Sequence, residues 1–377
     1  ASAADTIKVG LLPIDSGMFA RNLPFVVDSA KLAVEVLNAQ GGAAGKKFEL
    51  VIQNHPGTPA SAMAAGQRLI QQEGAQYLTG FFTSSIAGAL SPKMAGMNAL
   101  LIDPVSLATD LIGKNCQPNY FRVSAPEGLI GNAFHTLLRQ TGAKTWSTIS
   151  HDFAAGHAFA SEVKEVVGGM GGSVQKSFFT PIGTTDFGSY ITQLAKDPTE
   201  ALGVALYGSD ALAFAKQQQQ FGLFAKFKAV VSQGFADELT VGAQGDSTVG
   251  VVGTQNWSAT LPGAKVAAFV KAYEERYKRR PNYVEADMYA GFEMLQAAIN
   301  KAKSSDVNAV RIALAGLKAE TVLGEVEMRA ADHQLVRPIT LIQVVKGADG
   351  TASVAVKSVI SGRENTPPPS ADCKMPS

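Results

Sequence analysis

The sequence predicts an α/β protein with two consecutive lobes, each a doubly wound parallel β-sheet. Apolar segments of strand length alternate with amphipathic segments of helix length, which is typical of parallel strands joined by right-handed crossovers. The alternation starts again after Phe121, which indicates a second lobe of similar size. A chain of 377 residues, 46% of them hydrophobic, is long and apolar enough for two cores.

The elements of the first lobe are predicted from short apolar runs and from the helical spacing of apolar side chains. The strand at 7–12 ends at Pro13, and the helix at 25–38 carries apolar residues three or four positions apart before Gly41 and Gly42 stop it. On the same grounds we predict strands at 48–52, 77–82 and 99–102 and helices at 60–73 and 85–97.

The second lobe repeats this pattern, and the chain then changes character. Helices are predicted at 131–141, 158–167, 187–196 and 211–221, and strands at 145–150, 174–179, 201–207 and 229–232. Helices at 263–279, 286–302 and 307–317 follow, and then strands at 339–345 and 353–359. The tail at 365–377 contains three consecutive prolines, so we expect it to be extended on the surface.

Charge and hydropathy argue against two classes of partner. The net charge is +1, from 33 basic and 32 acidic residues, so no basic excess is present to neutralise nucleic-acid phosphates. No run reaches the ~18 consecutive apolar residues that a membrane-spanning helix needs. We therefore expect no nucleic-acid partner and no membrane span.

Both the first residues and the cysteines are compatible with export. The small residues at 1–5 are typical of the end of a cleaved signal peptide, so we expect a mature periplasmic protein whose signal has been removed. Cys116 and Cys373 allow one disulfide that closes a long loop, as in an oxidising compartment, or two unpaired thiols.

Motifs of the common enzyme classes are missing from the sequence. It has no GxxxxGK[ST] phosphate loop, no GxGxxG fingerprint after the first strand and no GxSxG nucleophile elbow. His151, Asp152 and His157 lack metal-ligand spacing, so we expect no metal and no cofactor. A hydrolase that uses Ser84 or Ser85 with His151 stays an alternative, but no acidic residue at a recognisable spacing supports it, and we predict no catalytic residue.

The strongest positive signal lies where the third strand meets the third helix. Thr83, Ser84 and Ser85 would present hydroxyl and backbone N–H groups at a helix start, which suits a carboxylate. The alternative is that these residues only cap the helix. In the loop after the first strand, Arg21 could clamp a carboxylate or be a solvated surface residue.

Aromatic residues at predicted strand ends could line a cleft and stack on a flat ligand, or could fill the cores. They are Phe82, Phe153, Tyr207, Phe235 and Trp257. Asp210 follows the strand that ends at Tyr207, and it could accept a ligand ammonium group or cap the next helix.

Several short motifs occur in the order found in the branched-chain amino-acid (Leu/Ile/Val) binding proteins of bacterial ABC importers. The motifs are Ile7-Lys8-Val9-Gly10, Asn38-Ala39-Gln40-Gly41-Gly42, Thr79-Gly80 with Thr83-Ser84-Ser85, Leu101-Ile102-Asp103-Pro104, His151-Asp152, Tyr207-Gly208, and Pro281-Asn282 followed by Tyr289-Ala290. Nearly the whole chain resembles this family, which has the type I periplasmic binding fold.

The resemblance implies two lobes joined by a three-strand hinge, with a ligand trapped between them and the closed form docking on an ABC permease. It places residues 1–121 and 256–335 in the N-terminal lobe, and residues 122–255 and 336–377 in the C-terminal lobe. It also implies a periplasmic solute-binding protein rather than an enzyme, and we expect a monomer.

The family's ligand contacts map onto this chain only in part. Ser84 matches the family serine that binds the ligand α-carboxylate, and Val105 and Ser106 match a second loop that contacts the carboxylate and the ammonium group. Asn22 stands near a family aromatic residue. Ala155 stands near a tyrosine that covers the ligand, which implies a roomier site.

The largest departure is at Gln233 and Gly234, where the amino-acid binders have an acidic partner for the ammonium group. An unpaired buried ion costs roughly several kcal/mol. Either Asp210 or Asp237 therefore replaces the partner, or the ligand has no ammonium group. We favour a carboxylate with an aromatic or other apolar body. The alternatives are a branched-chain or aromatic amino acid, and a two-lobe regulator that senses a ligand.

Overall fold

The computed structural model describes residues 6–375, so the small residues at 1–5 lie outside the described residues. The described chain forms two compact units. The first contains the residues up to Leu129, then Leu261–Pro338, and the chain from Ser361 onwards. The second contains Ile130–Thr260 and Ile339–Ile360.

Residues 6–375 contain fifteen strands and twelve α-helices, numbered here along the chain. The strands are β1 (Thr6–Leu12), β2 (Lys47–Ile52), β3 (Tyr77–Gly80), β4 (Leu100–Asp103), β5 (Tyr120–Arg122), β6 (Thr145–His151), β7 (Ser173–Thr180), β8 (Ala201–Ala205), β9 (Ala229–Ser232), β10 (Val252–Gln255), β11 (Lys318–Thr321), β12 (Gly324–Met328), β13 (Leu335–Val336), β14 (Ile339–Lys346) and β15 (Ala352–Ile360). The helices are α1 (Leu23–Ala39), α2 (Pro59–Gln71), α3 (Ser84–Leu90), α4 (Glu127–Gln140), α5 (Ala154–Gly169), α6 (Gly188–Ala195), α7 (Gly208–Phe221), α8 (Val241–Gln244), α9 (Ala264–Tyr277), α10 (Tyr283–Ala302), α11 (Val307–Leu314) and α12 (Gly362–Asn365).

The first unit is built on a five-stranded parallel sheet in the order β2-β1-β3-β4-β5. The chain order reverses between β1 and β3, which pair from Val9 with Tyr77 to Leu12 with Gly80. A Cβ atom at Gly80 would come within 2.4 Å of the Leu12 carbonyl oxygen, so only glycine permits this close approach. The loops that follow β1 and β3 are therefore held side by side.

The second unit repeats this order in a larger sheet. Its strands run β15-β14-β10-β9-β8-β6-β7, and the five strands from β6 to β10 are parallel. β14 and β15 add to the β10 edge as antiparallel strands. In open sheets of this kind, ligands bind outside the carboxyl ends of the strands where the order reverses. These positions are β1 and β3 in the first unit and β6 and β8 in the second.

The two parallel sheets confirm the predicted fold class, and most predicted elements are present with ends shifted by a few residues. The sequence prediction missed β5, β10, α8 and α12, which are only three or four residues long. It also missed the small antiparallel sheet β11-β12-β13. Segments this short carry too little hydrophobic periodicity to be recognised.

The two units divide the chain at other positions than the expected lobes, most of all in the C-terminal tail. The chain passes between the units four times, at 129/130, 260/261, 338/339 and 360/361, rather than three times. The tail returns to the first unit because Cys373 forms a disulfide with Cys116. Arg329 also holds the tail, since its Nη1 donates to the Pro367 carbonyl at 2.8 Å. The disulfide interpretation of the two cysteines is thus confirmed.

Residues 6–375 lack two features. No helix there is both long enough and apolar enough to cross a membrane. No group of three or more His, Cys, Asp or Glu side chains is arranged to hold a metal ion.

Reduction of the Cys116–Cys373 bridge should destabilise the first unit. A bridge across 257 residues restricts the unfolded chain strongly, and its loss should lower the free energy of unfolding by about 2–4 kcal/mol. Urea unfolding with and without dithiothreitol measures this difference. In Cys373→Ser the reductant should have no further effect. Two free thiols in the native protein would contradict the bridge.

A buried histidine should make the first unit sensitive to acid. The His333 ring stacks on Phe121 at 3.9 Å, and its Nδ1 lies 3.0 Å from the Tyr120 carbonyl oxygen. Burial lowers the pKa of His333 from 6.5 to about 4, so the unfolded state binds more protons between these pH values. This contribution to stability is complete above pH 6.5 and is lost as the pH falls towards 4.

Replacing His333 with asparagine should therefore flatten the acid limb of the stability profile. Asparagine tolerates the positive φ of 58° at this position. Between pH 7 and pH 4, the unaltered protein should lose about 3 kcal/mol more unfolding free energy than His333→Asn. Urea unfolding at each pH tests this, with His157→Asn as the control at an exposed histidine. Equal losses in all three proteins would contradict the assignment.

Candidate functional site

In the first unit, the loop after β1 lies beside the end of β3. A short 3₁₀-helix, Gly17–Asn22, occupies this loop, and the Phe19 ring packs against Phe81 at a centroid distance of 5.4 Å. Arg21 is exposed on this helix. Asn22 is half-buried and its amide donates to the Phe19 carbonyl at 3.3 Å, so it closes the turn.

The predicted hydroxyl cluster divides into a cap and a candidate ligand group. Thr83 is the N-cap of α3, since its Oγ1 accepts from the Ile86 N–H at 3.3 Å, and it lies 3.0 Å from the Ser85 Oγ. The Ser84 Oγ accepts from the Ala108 N–H at 3.1 Å. A hydroxyl group has one donor and two acceptor sites, so Ser84 keeps its proton for another acceptor.

The loop after β4 is organised by a buried carboxylate. Oδ1 of Asp103 accepts from the N–H groups of Val105 and Ser106 at 2.9 and 3.0 Å, and Oδ2 accepts from the Tyr120 hydroxyl at 2.7 Å. The Ser106 hydroxyl donates to the Phe82 carbonyl at 2.9 Å. Val105 and Ser106 therefore direct these donors into the loop rather than towards a ligand.

In the second unit, a buried histidine connects the ends of β6 and β8. Nε2 of His151 accepts from the Tyr207 N–H at 3.0 Å, so in the neutral ring the proton is on Nδ1. Nδ1 lies 3.6 Å from Oδ2 of Asp210, which itself accepts from the Gly183 N–H at 2.9 Å. This network fixes three loops at the carboxyl edge of the second sheet.

Two exposed aromatic rings flank this histidine. Phe153 is 38% exposed and Tyr207 is 37% exposed, and their ring centroids lie 5.8 and 5.5 Å from that of His151. A Cβ atom at Gly234, where φ is +70°, would come within 2.6 Å of the Tyr207 ring. The absence of a Cβ atom at Gly234 thus makes room for the Tyr207 ring, which remains partly exposed at this edge of the sheet.

Three of the predicted aromatic wall residues are buried. Phe82, Phe235 and Trp257 are each exposed by 1% or less. Phe235 packs in the hydrophobic core of the second unit against Phe214 and Phe224. Position at a strand end does not separate such core residues from surface ones, because the loop after a strand can fold back over the core.

The carboxylates considered as ammonium partners are already engaged by the chain. Asp210 is 4% exposed and bonded as described above. Oδ1 of Asp237 accepts from the N–H groups of Leu239 and Thr240 at 2.8 and 3.1 Å, and burial raises its pKa. The Gln233 amide donates to Glu162 at 3.4 Å, while Ala155 is exposed in the first turn of α5.

Three residues that hold the loops of the two units in place were missed by the sequence prediction. It noted Asp103 only as part of a family motif and gave no role to Ala108 or Gly183. Two of these three act through the backbone N–H, which no residue pattern reports. Asp103 before Pro104 could have suggested an Asx-type turn that binds the following N–H groups.

Comparisons with known proteins identify the family of this chain. A family model described as a periplasmic binding protein matches residues 6–350. A Leu/Ile/Val-binding protein homolog 6 from Brucella melitensis is 25% identical over 368 residues, covering 93% of this chain and 90% of the relative.

Solved structures share the fold of this chain. An ABC transporter substrate-binding protein from Sphaerobacter thermophilus has a TM-score of 0.80 at 23% identity, covering 95% of this chain and 98% of that chain. A solute-binding protein from Rhodopseudomonas palustris, in complex with 3,4-dihydroxy benzoic acid, has a TM-score of 0.77 at 22% identity, with the same coverage of 95% and 98%. The chain therefore belongs to the periplasmic binding protein family.

Proposed function

We propose that this protein captures a small carboxylate with an aromatic or other apolar body, and without an ammonium group, for an ABC importer. The engagement of Asp210 and Asp237 by backbone N–H groups carries this proposal. An amino-acid ligand would bring a positive charge that needs an anionic partner when it is buried. An organic acid without an ammonium group needs no anionic partner in the site.

The acid end of the ligand is assigned to the first unit. Ser84 has a hydroxyl proton to donate, because the Ala108 N–H already occupies one of its acceptor sites. Arg21 is exposed on the neighbouring loop and supplies a positive charge. A hydrogen bond from Ser84 together with this charge would favour an anion.

The apolar body of the ligand is assigned to the second unit. Phe153 and Tyr207 offer exposed ring faces at the ends of β6 and β8. Aromatic faces stack favourably on flat apolar groups. The small side chain of Ala155 leaves room beside them, in keeping with a ligand broader than an aliphatic amino acid.

Relatives of the same fold are compatible with either ligand class. The Brucella melitensis relative is named for leucine, isoleucine and valine, and the Rhodopseudomonas palustris protein holds 3,4-dihydroxy benzoic acid. These ligands share a carboxylate and differ in the ammonium group. The choice therefore depends on residues of this chain, and its engaged aspartates favour the acid.

The family consists of solute-binding proteins and is not an enzyme class. We propose that residues of both units contact one ligand and that the ligand stabilises a hinge-closed state. In this scheme a monomer in the closed state docks on the permease of the transporter.

One observation favours a second candidate function, the binding of a branched-chain or aromatic amino acid. The Glu162 carboxylate lies 3.4 Å from the Gln233 amide. Gln233 stands where the Leu/Ile/Val-binding proteins have the acidic partner of the ammonium group, so Glu162 could take the place of that partner. However, the other oxygen of Glu162 lies 2.9 Å from Nε2 of His135, so this carboxylate has a cationic partner when His135 is protonated. Glu162→Gln should abolish binding only if an ammonium group is bound there.

Matched ligand pairs test the proposed function directly. 3-Phenylpropionate differs from L-phenylalanine, and 4-methylpentanoate from L-leucine, only by the missing α-ammonium group. Titration calorimetry should show at least about tenfold tighter binding of the acid in one of the pairs, because Asp210 and Asp237, the two carboxylates considered as ammonium partners, are hydrogen-bonded to backbone N–H groups. The neutral amide 3-phenylpropionamide should bind weakly, since it lacks the charge. Tighter binding of either amino acid than of its acid would contradict the proposal.

A further inference from the structure

The first unit buries an arginine that has no carboxylate partner. Arg122 ends β5 and is fully buried, and none of the carboxylates among residues 6–375 lies within 4.0 Å of its guanidinium. Its Nη2 has no hydrogen-bond partner. Asp103 stands beside it in the sheet register, but the Asp103 oxygens are taken by Tyr120 and two loop amides. A buried unpaired charge is destabilising, so stability alone does not explain this arginine.

The guanidinium of Arg122 joins two separate segments of the unit. Its Nε donates to Oε1 of Gln334 at 2.7 Å, and its Nη1 donates to the Ala108 carbonyl at 2.8 Å. Gln334 is itself fixed, because its Nε2 donates to the carbonyls of Ser124 and Leu335, each at 2.9 Å. Gln334 therefore fixes the position of the Arg122 guanidinium, and the guanidinium in turn fixes the position of residue 108.

Residue 108 in turn decides how the Ser84 hydroxyl is oriented. The Ala108 carbonyl accepts from Arg122, and the Ala108 N–H donates to the Ser84 Oγ at 3.1 Å. That N–H occupies one acceptor site of the hydroxyl, which turns the hydroxyl proton away from it. A displaced residue 108 would leave Ser84 free to rotate.

We propose that Arg122 is a positioning residue for ligand binding: it holds residue 108 so that Ser84 presents its hydroxyl proton to the ligand carboxylate. The statement that Ser84 binds the ligand carboxylate rests on the proposed function. The hydrogen bonds that link Arg122 to Ser84 through residue 108 do not depend on a ligand. Lysine cannot replace this arginine, because one ammonium group does not reproduce a planar fork that reaches Gln334 and Ala108 at once.

Amide hydrogen exchange in the ligand-free protein tests the first half of the inference. The Ala108 amide should exchange about tenfold faster or more in Arg122→Lys and in Ser84→Ala than in the unaltered protein, since each change removes a support of its hydrogen bond. Arg337→Lys is the matched control, because Arg337 is an equally buried arginine of this unit that pairs with Asp287 instead. Unchanged exchange at Ala108 in Arg122→Lys would overturn the inference.

A double-mutant cycle on ligand affinity tests the second half. With 3-phenylpropionate as the probe, Ser84→Ala and Arg122→Lys should each raise Kd by about tenfold or more, and the double variant should bind no more weakly than Ser84→Ala. A merely structural Arg122 would weaken both backgrounds equally, and this additive result would overturn the inference. Ser85→Ala controls for loss of a hydroxyl that does not contact residue 108.

The outcomes separate this inference from the proposed function. If neither member of a matched ligand pair binds the unaltered protein, the proposed function fails and the exchange measurement still decides the link from Arg122 to Ser84.

If Arg122→Lys does not fold, Ala108→Pro takes its place, because the φ of −56° at Ala108 suits proline. This change keeps the carbonyl for Arg122 and deletes the N–H to Ser84. Unaltered 3-phenylpropionate affinity in a folded Ala108→Pro, with Ser84→Ala weakened, would overturn the inference.

Discussion

The parallel pairing of β1 with β3, and of β6 with β8, is the constraint on which the rest of the structure depends. It brings the Arg21 loop beside the hydroxyl cluster in one unit, and His151 beside Tyr207 in the other. Gly80 makes the first pairing possible by allowing a close backbone approach. Since the proposed binding residues are on loops, their positions are set by this arrangement of strand ends rather than by the loops themselves.

Polar side chains buried next to these loops then define what the site can accept. Asp103 accepts hydrogen bonds from two backbone N–H groups and the Tyr120 hydroxyl, and Asp210 accepts one from the Gly183 N–H, so both carboxylates hold loops in place. Arg122 has no such counter-charge and reaches the loop that holds Ser84. The same scaffold in an amino-acid binder would need an acid near Gln233 that can pair with the ammonium group, and here the Glu162 carboxylate near Gln233 also lies 2.9 Å from Nε2 of His135.

The sequence was sufficient to predict the fold class, most strands and helices, and the interest of Ser84, because periodicity and turn residues report local structure directly. It failed where the outcome depends on tertiary contacts. Phe153 and Phe235 are both aromatic residues at strand ends, yet one is exposed and the other lies in the core. The sequence did not associate the tail with the first unit, because the pairing of Cys373 was an open question. The hydrogen bond from the Ala108 N–H to Ser84 was missed because every residue except proline has a backbone N–H, so the residue type gives no signal.

The central claim is that the native ligand is an organic acid without an ammonium group. Mass spectrometry of the small molecules released on denaturation, from protein purified gently from its own cells, tests it without any choice of probe. The account predicts a carboxylic acid with an aromatic or apolar body, present in stoichiometric amount and recovered in a smaller amount from Ser84→Ala prepared in the same way. A branched-chain or aromatic amino acid recovered in that amount would contradict it.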